Sequence, residues 1–351
     1  MAAGWLLYGA TGSTGELIAR AAVSRGLNPI LAGRTPERVQ RLAKELGLEA
    51  RSFPVENTTA VVDGLREVGL VLNCAGPFSA TAARMLQGCF AMHAHYLDIT
   101  GEIDVFERAQ SHANTARRAG VVVCPGVGFD VVPTDCLAAT LKTVLPDATH
   151  LALGFDGGGM PSRGTAKTMV EGLASGGRIR AEGHLTPVPL AFRTREIDFG
   201  AGIKKAVTIP WGDVSTAAWT TGIENIETYI PSSPRSIQRL ERLERWRGLL
   251  ATRPAQWCLK RAVDRAPPGP SAGVRAATRT YVWGEARNAA GAVRTARVAT
   301  ANGYTLTMEA ALAIVRRVLD APPAPSYYTP SQIMGADFIS ELPGSSPIAI
   351  A

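Results

Sequence analysis

One short stretch limits the possible folds more than any other. The apolar run Trp5–Tyr8 is followed at once by Gly9-Ala10-Thr11-Gly12-Ser13-Thr14-Gly15, and that loop opens onto Glu16–Ser24, whose apolar residues recur at helical spacing. A spaced-glycine loop is weak evidence alone, but between a strand and a helix each glycine has a use. Gly9 makes the tight turn, Gly12 admits backbone close to a ligand, and Gly15 lets the helix pack on the strand. The same alternation then repeats. Pro29–Ala32, Leu70–Cys74, Tyr96–Ile99 and Val121–Cys124 read as buried strands, with a weaker one at Ala50–Phe53; Glu37–Leu46, Thr81–Phe90 and Val105–Arg117 read as helices. Pro36 behind Thr35 marks a helix start, a proline at the first helical position after a hydroxyl cap. Regular strand–helix alternation of this kind predicts a doubly wound parallel sheet of the Rossmann type.

After Pro125 the rhythm changes. Glycine-rich pieces (Gly154–Gly164, Gly172–Gly177, Gly200–Gly202) sit among short β-like runs such as Leu151–Phe155 and Ala206–Ile209. Arg279–Ala286 and Val293–Ala299 read as a strand pair with a turn near Asn288–Gly291, and Pro267-Pro268-Gly269-Pro270 as a loop. Thr305–Leu319 reads as a helix that the prolines 322, 323 and 325 follow. The expected class is α/β with a second α+β domain built on a mixed sheet. The expected layout is 1–128 for the Rossmann domain, 129–300 for a substrate and dimerisation domain, and 301–351 for a C-terminal helix and tail that return to the first domain. A length of 351 residues favours two cores over one.

An apolar share of 46% and a charged share of 19% describe an ordinary globular chain. No run of about 18 apolar residues suggests a membrane span, and the N-terminus lacks the pattern of a secretory signal, so a cytoplasmic location is expected. Five cysteines without CxxC spacing read as buried thiols rather than as a zinc site or a disulfide framework. The formal net charge of +7 reads as a diffuse arginine excess with no basic tail, which suits an anionic small molecule better than nucleic acid.

The glycine loop and the helix behind it present free N–H groups and a positive dipole end to a pyrophosphate. Which dinucleotide binds is set after the second strand. An Asp or Glu there would bind a ribose 2′-hydroxyl, but the chain has Ala32-Gly33-Arg34-Thr35. Arg34 can pair with a 2′-phosphate and Thr35 can add a hydroxyl, so NADP(H) is expected over NAD. Gly9, Thr11, Gly12, Ser13, Thr14 and Gly15 would line the phosphate side. A second loop after the fourth strand, Asn73-Cys74-Ala75-Gly76-Pro77-Phe78, would face the ribose and nicotinamide: Ala75, Gly76, Pro77 and Phe78 would leave room, and Asn73 would supply an amide. Cys74 shows nothing that would make it a reactive thiol, and the pair His93 and His95 lacks partners for a metal.

These motifs, together with Tyr96-Leu97-Asp98-Ile99-Thr100-Gly101-Glu102 and Pro125-Gly126-Val127-Gly128-Phe129-Asp130-Val131-Val132-Pro133-Thr134-Asp135, come in an order that resembles the saccharopine dehydrogenase-like NADP-binding family. That family includes saccharopine reductases and trans-acting enoyl reductases. The resemblance covers the first 140 residues well and thins afterwards, with Gly303-Tyr304-Thr305 and Tyr328-Thr329-Pro330 as later echoes. It implies a Rossmann domain, a second domain covering the nicotinamide, a returning C-terminal segment and a homodimer built through the second sheet.

The catalytic candidates are Asp130, Lys167 and Tyr96. Asp130 sits in a loop expected to cross the mouth of the cleft, where a carboxylate can steady an iminium or manage a proton; Lys167 or Tyr96 can donate a proton. Asp135 reads equally as a helix cap, and Glu102 as a group favouring the helix that follows it. Ser162-Arg163-Gly164-Thr165-Ala166-Lys167 would suit a substrate carboxylate or phosphate, and Trp211-Gly212-Asp213 is a further candidate. No Tyr-x-x-x-Lys pair is present, which disfavours ketone reduction by the short-chain route. The amphipathic stretch Ile237–Leu250 reads as a packed surface helix, with a membrane or an acyl carrier as the alternative partner. The expected activity is hydride transfer from NADPH to a polarised C=N (imine) or C=C (enoyl) bond of a small molecule; the alternative is a non-catalytic NADP(H) sensor or scaffold.

Overall fold

A computed structural model describes residues 4–157, 170, 172, 176–265 and 278–351. The chain forms two units: Met1–Val132 with Tyr304–Gly335, and Pro133–Gly303 with Ala336–Ala351.

The first unit alternates strand and helix without interruption. In order come β1 (Gly4–Tyr8), α1 (Ser13–Ser24), β2 (Ile30–Gly33), α2 (Pro36–Leu46), β3 (Ala50–Ser52), α3 (Thr58–Gly64), β4 (Val68–Asn73), α4 (Phe78–Met92), β5 (His95–Asp98), α5 (Ile103–Ser111), α6 (Ala113–Ala119) and β6 (Val122–Cys124). The strands form one parallel sheet in the order β6-β5-β4-β1-β2-β3. Chain order reverses between β1 and β4, and ligands of such sheets lie beyond the strand ends at that point. Helices cover both faces, so the central strands are largely apolar: Leu6, Leu7, Leu31, Leu70 and Leu72 are fully buried. Burial of each such leucine contributes about 2 kcal/mol.

A later segment completes this sheet. The helix Gly303–Asp320 packs Leu306, Ala310, Ile314 and Val318 inward, and β15 (Ser326–Tyr327) then adds in parallel to β6, with Tyr328 N–H donating to Val123 O at 2.8 Å. Two sequence expectations change in detail. The helix expected over Val105–Arg117 is two, because the chain tightens at His112, whose N–H turns back to Ala109 O. The short α3, capped by the Asn57 side chain on Ala60 N–H, has no counterpart among the expected helices.

The second unit opens with α7 (Val132–Val144), whose first residue closes the first unit, and is built on β7 (Ala148–Asp156), β8 (Gly177–Ala181), β9 (His184–Val188), β10 (Thr194–Asp198), β11 (Ile203–Ile209), β12 (Asn225–Pro231), β13 (Arg279–Asn288), β14 (Val293–Ala301) and β16 (Ala349–Ile350). Its sheet runs β10-β11-β12-β7-β13-β14-β16, with β8 on β12 and β9 on β8. The β12–β7 pair is parallel and the other neighbours are antiparallel, so the sheet is mixed as expected. Helix α7 lies close against it where Gly284 has no side chain; a Cβ there would come within 2.8 Å of Leu141 Cδ1. The expected strand pair is β13 and β14, and Asn288 closes its turn by accepting Ala292 N–H at 2.8 Å. The Ser162–Lys167 motif and Pro267-Pro268-Gly269-Pro270 lie outside the described residues.

Candidate active site

The carboxyl ends of β1, β2, β4, β5 and β6 gather the loops that the sequence singled out in the first unit. Gly9 has φ +79°, and a Cβ on it would meet Ala75 N at 2.8 Å, so the turn brings the two cofactor loops together. A Cβ on Gly15 would lie 2.2 Å from Gly9 O. Only a bare α-carbon lets α1 start so close to the strand. Gly12 is the N-cap of α1 and is exposed; with no side chain it caps nothing, which leaves the first-turn N–H groups of Ser13, Thr14 and Gly15 for a ligand. Thr11 is half-buried, and its carbonyl accepts from Arg38 at 3.1 Å. These features fit a dinucleotide pyrophosphate.

Arg34 is exposed at the end of β2 and makes no salt bridge among the described residues. Thr35 is the N-cap of α2 with Pro36 behind it, but its hydroxyl makes no capping bond. Sequence reasoning missed Arg38. It lies in the first turn of α2, and its bond to Thr11 O places a second guanidinium beside the glycine loop. The available signal was a second arginine in the helix that opens directly after Arg34.

The second loop is held from beneath. Asn73 is fully buried: its amide donates toward Thr81 Oγ1 (3.3 Å) and Tyr96 Oη (3.4 Å), and its carbonyl accepts Ala75 N–H (3.0 Å). It shapes the loop Ala75-Gly76-Pro77-Phe78 from inside the sheet rather than offering an amide outward. Tyr96 is also corrected as a candidate proton donor. It is buried in the core, its hydroxyl is given to Asp98 Oδ2 at 2.7 Å, and burial raises its pKa well above the usual phenol value. Asp98 in turn accepts Thr100 N–H and Gly126 N–H at 3.0 Å each and joins the loops after β5 and β6; burial raises its carboxyl to about 6 despite those bonds. Cys74 has its thiol pKa pushed up by burial and by Asp98, so no thiolate forms there.

Glu102 is the N-cap residue of α5, where its carbonyl accepts Val105 N–H at 3.0 Å, but its side chain makes no capping bond to that helix. Its two carboxylate oxygens accept the N–H groups of Phe78 (2.8 Å) and Ser79 (2.7 Å), so it caps α4 across the sheet end. Asp130 lies against the same strand end. A Cβ on Gly101 would fall 2.8 Å from Asp130 Oδ2, so glycine is what makes room for that carboxyl. Burial, and then the negative charge of Glu102, raise the Asp130 carboxyl to about 7. The Gly-Phe-Asp loop is anchored by Thr307 of the returning segment, whose hydroxyl accepts Phe129 N–H at 3.0 Å.

In the second unit, Asp213 begins the helix Asp213–Thr221, is fully buried, and accepts the Thr134 hydroxyl at 2.6 Å; Trp211 packs its ring on Phe155 with centroids 5.0 Å apart. Asp135 lies within the first turn of α7, is buried, and accepts the Thr220 hydroxyl. The imidazoles of His93 and His95 are engaged by the Ala119 carbonyl and the Val122 N–H, respectively. Lys167 lies outside the described residues.

A glycine-looped parallel sheet with an arginine after its second strand, joined to a mixed-sheet unit, defines a two-unit protein with a nicotinamide dinucleotide-binding domain. Residues 5–124 match the saccharopine dehydrogenase NADP binding domain family, a domain type whose cofactor is NADP(H). Over 155 residues the chain is 31% identical to a trans-acting enoyl reductase of Mycobacterium leprae, covering 41% of this chain and 37% of that one. Over 150 residues it is 27% identical to a saccharopine dehydrogenase-like oxidoreductase of Homo sapiens, covering 37% and 35%. The chain thus spans little more than a third of the length of these relatives. In fold the chain is similar to the apo saccharopine dehydrogenase (L-Glu forming) of Saccharomyces cerevisiae, at TM-score 0.65, 12% identity and 99% coverage of both chains.

Proposed function

We propose that the protein is an NADPH-dependent oxidoreductase that reduces a polarised C=N or C=C bond of a small molecule, with Asp130 as the group that manages the proton. The observation that carries this reading is the position of the Asp130 carboxyl, packed against the bare α-carbon of Gly101 beside the loop that Glu102 holds; burial there raises it to about 7, and an acid tuned near the working pH transfers protons most effectively. Bound NADPH supplies the hydride. The first-turn N–H groups of Ser13, Thr14 and Gly15 hold the pyrophosphate, and Gly9 and Gly12 keep side chains out of its way. Arg34, assisted by Thr35 and Arg38, holds the 2′-phosphate. Ala75, Gly76, Pro77 and Phe78 border the ribose and nicotinamide, in a loop that Asn73 and Glu102 fix. Asp130 gives its proton to the substrate atom that gains electron density, nitrogen for an imine and carbon or carbonyl oxygen for an enoyl group, and then regains one from water.

The relatives named as enoyl reductases support the C=C acceptor, and a carboxyl that can carry charge supports the C=N acceptor equally. Purified protein given NADPH with conjugated enoyl thioesters, and separately with mixtures of amine and aldehyde, distinguishes them by which one consumes NADPH. Tight NADPH binding with no consumption in either case would remove the enzyme reading and leave a dinucleotide sensor. Assembly as a homodimer through the second sheet belongs to the same proposal and is read by sedimentation.

A further inference from the structure

Residues 234–265 carry eight arginines and one lysine against two glutamates and one aspartate, a net charge of +6 where the whole chain carries +7. The positive excess is therefore not diffuse; it is concentrated in one stretch of the second unit. That stretch folds as three helices, Pro234–Glu244, Arg247–Leu250 and Arg253–Arg265, where the sequence suggested one continuous helix over Ile237–Leu250. In the third helix Arg253, Trp257, Arg261 and Arg265 recur every four residues, which stacks them on one face, and all four are exposed. In the first, Arg235, Arg239 and Arg242 form a similar exposed row that leads into Trp246.

The large apolar side chains here face water. Trp246 is 64% exposed, and Leu249 and Trp257 are 60% exposed, whereas Ile237 at 5% is the residue that anchors the segment. The carboxylates do not neutralise this face evenly. Of the two glutamates, Glu244 turns inward to accept Leu190 N–H at 2.9 Å and pairs with Arg247 at 3.4 Å, while Glu241 stays among the exposed arginines. Gln256 Nε2, donating to Leu250 O at 2.9 Å, ties the third helix to the end of the second, and the Arg261 guanidinium sits over the Trp257 ring at 5.1 Å from its centre.

We propose that these helices seat the protein on an anionic lipid surface, lying in the headgroup plane rather than crossing it. Tryptophan has an apolar body and a polar N–H and favours the headgroup level, leucine reaches the acyl boundary, and arginine pairs with lipid phosphate. A nucleic acid would satisfy the arginines and could stack on the indoles, but it gives Leu249 nothing to bury against. Charge and apolar exposure together favour the bilayer.

Co-sedimentation at about 0.15 M salt, with vesicles of phosphatidylcholine alone and of phosphatidylcholine mixed with phosphatidylglycerol, tests this. Binding is expected to the mixed vesicles only, with a blue shift of tryptophan emission. The triple variant R239E/R242E/R261E is expected to lower partitioning at least about a hundred-fold, at about five-fold for each arginine removed. The variant W246S/W257S is expected to weaken binding and lose the emission shift. Because these side chains are exposed, unchanged circular dichroism and NADPH affinity verify that both variants are folded. Equal binding to both vesicle types, binding to neither, or undiminished binding by the triple variant overturns the proposal. So does capture of the protein from mixed vesicles by a competing DNA duplex, which would assign the basic face to nucleic acid.

Discussion

Arg34 is the residue whose purpose is most legible from chemistry alone. An exposed guanidinium after the second strand, without a salt bridge among the described residues, is suited to a phosphate dianion. Arg34→Ala is expected to weaken NADPH binding about ten- to a hundred-fold and to leave NADH binding nearly unchanged, which titration calorimetry measures. Asp130 carries the second residue-scale prediction. Its carboxyl is raised from 3.8 to about 7, so between those values the folded protein holds a proton that the unfolded chain has released. Its contribution to stability is therefore greatest below about pH 4 and declines as pH rises to about 7, the reverse of an ion-paired aspartate. Asp130→Asn cannot ionise, so thermal melts should show the variant gaining on the parent as pH climbs through that window. Turnover of the parent should fall above about pH 7, and the variant should lose that limb together with most of its rate. Tyr96 and Asn73 show where residue type misleads: a phenol and an amide at a strand end look reactive, yet both are sealed in the core.

At the scale of elements, the junction between β1 and α1 tolerates no side chain at Gly15. Gly15→Ala would place a methyl group 2.2 Å from Gly9 O, a backbone atom that cannot move without opening the turn. The variant is expected to melt at a lower temperature, by about 2 kcal/mol or more of lost stability, and to lose dinucleotide binding, both followed by thermal shift with and without NADPH. Glu102 links two elements and the proton site at once. Glu102→Gln keeps the shape and removes the charge, which weakens the cap of α4 by about 1 kcal/mol. It also removes the negative neighbour that helps to raise Asp130, so the alkaline limb of the pH–rate profile should move to lower pH. An unmoved limb would separate Asp130 from that limb. The strands, the glycine loop and the helix start at Pro36 were readable because period and breaker residues are local signals. The break at His112 and the turning of Glu102 to another helix were not, since each depends on what lies across the sheet.

At the scale of the molecule, the first unit is not continuous in sequence. The segment Tyr304–Gly335 supplies the edge strand beside β6, the Glu309 carboxylate that meets Arg25 at 2.6 Å, and the Thr307 hydroxyl that holds the Gly-Phe-Asp loop. A fragment ending at Val132 would uncover Val123 and the apolar surface that Leu306 and Ile314 cover. It is expected to bind a hydrophobic dye and to melt well below the full chain, and an equally stable fragment would show the returning segment to be dispensable.

The sequence by itself determined the parallel sheet, the glycine loop and the preference for a phosphate-bearing dinucleotide, because hydrophobic period, glycine placement and charge type act over a few residues. Only the tertiary structure decided which polar groups are sealed, which helix Glu102 caps, and why Asp130 sits near neutral pH. Those outcomes depend on burial and on neighbours distant in the chain, and no local pattern encodes either.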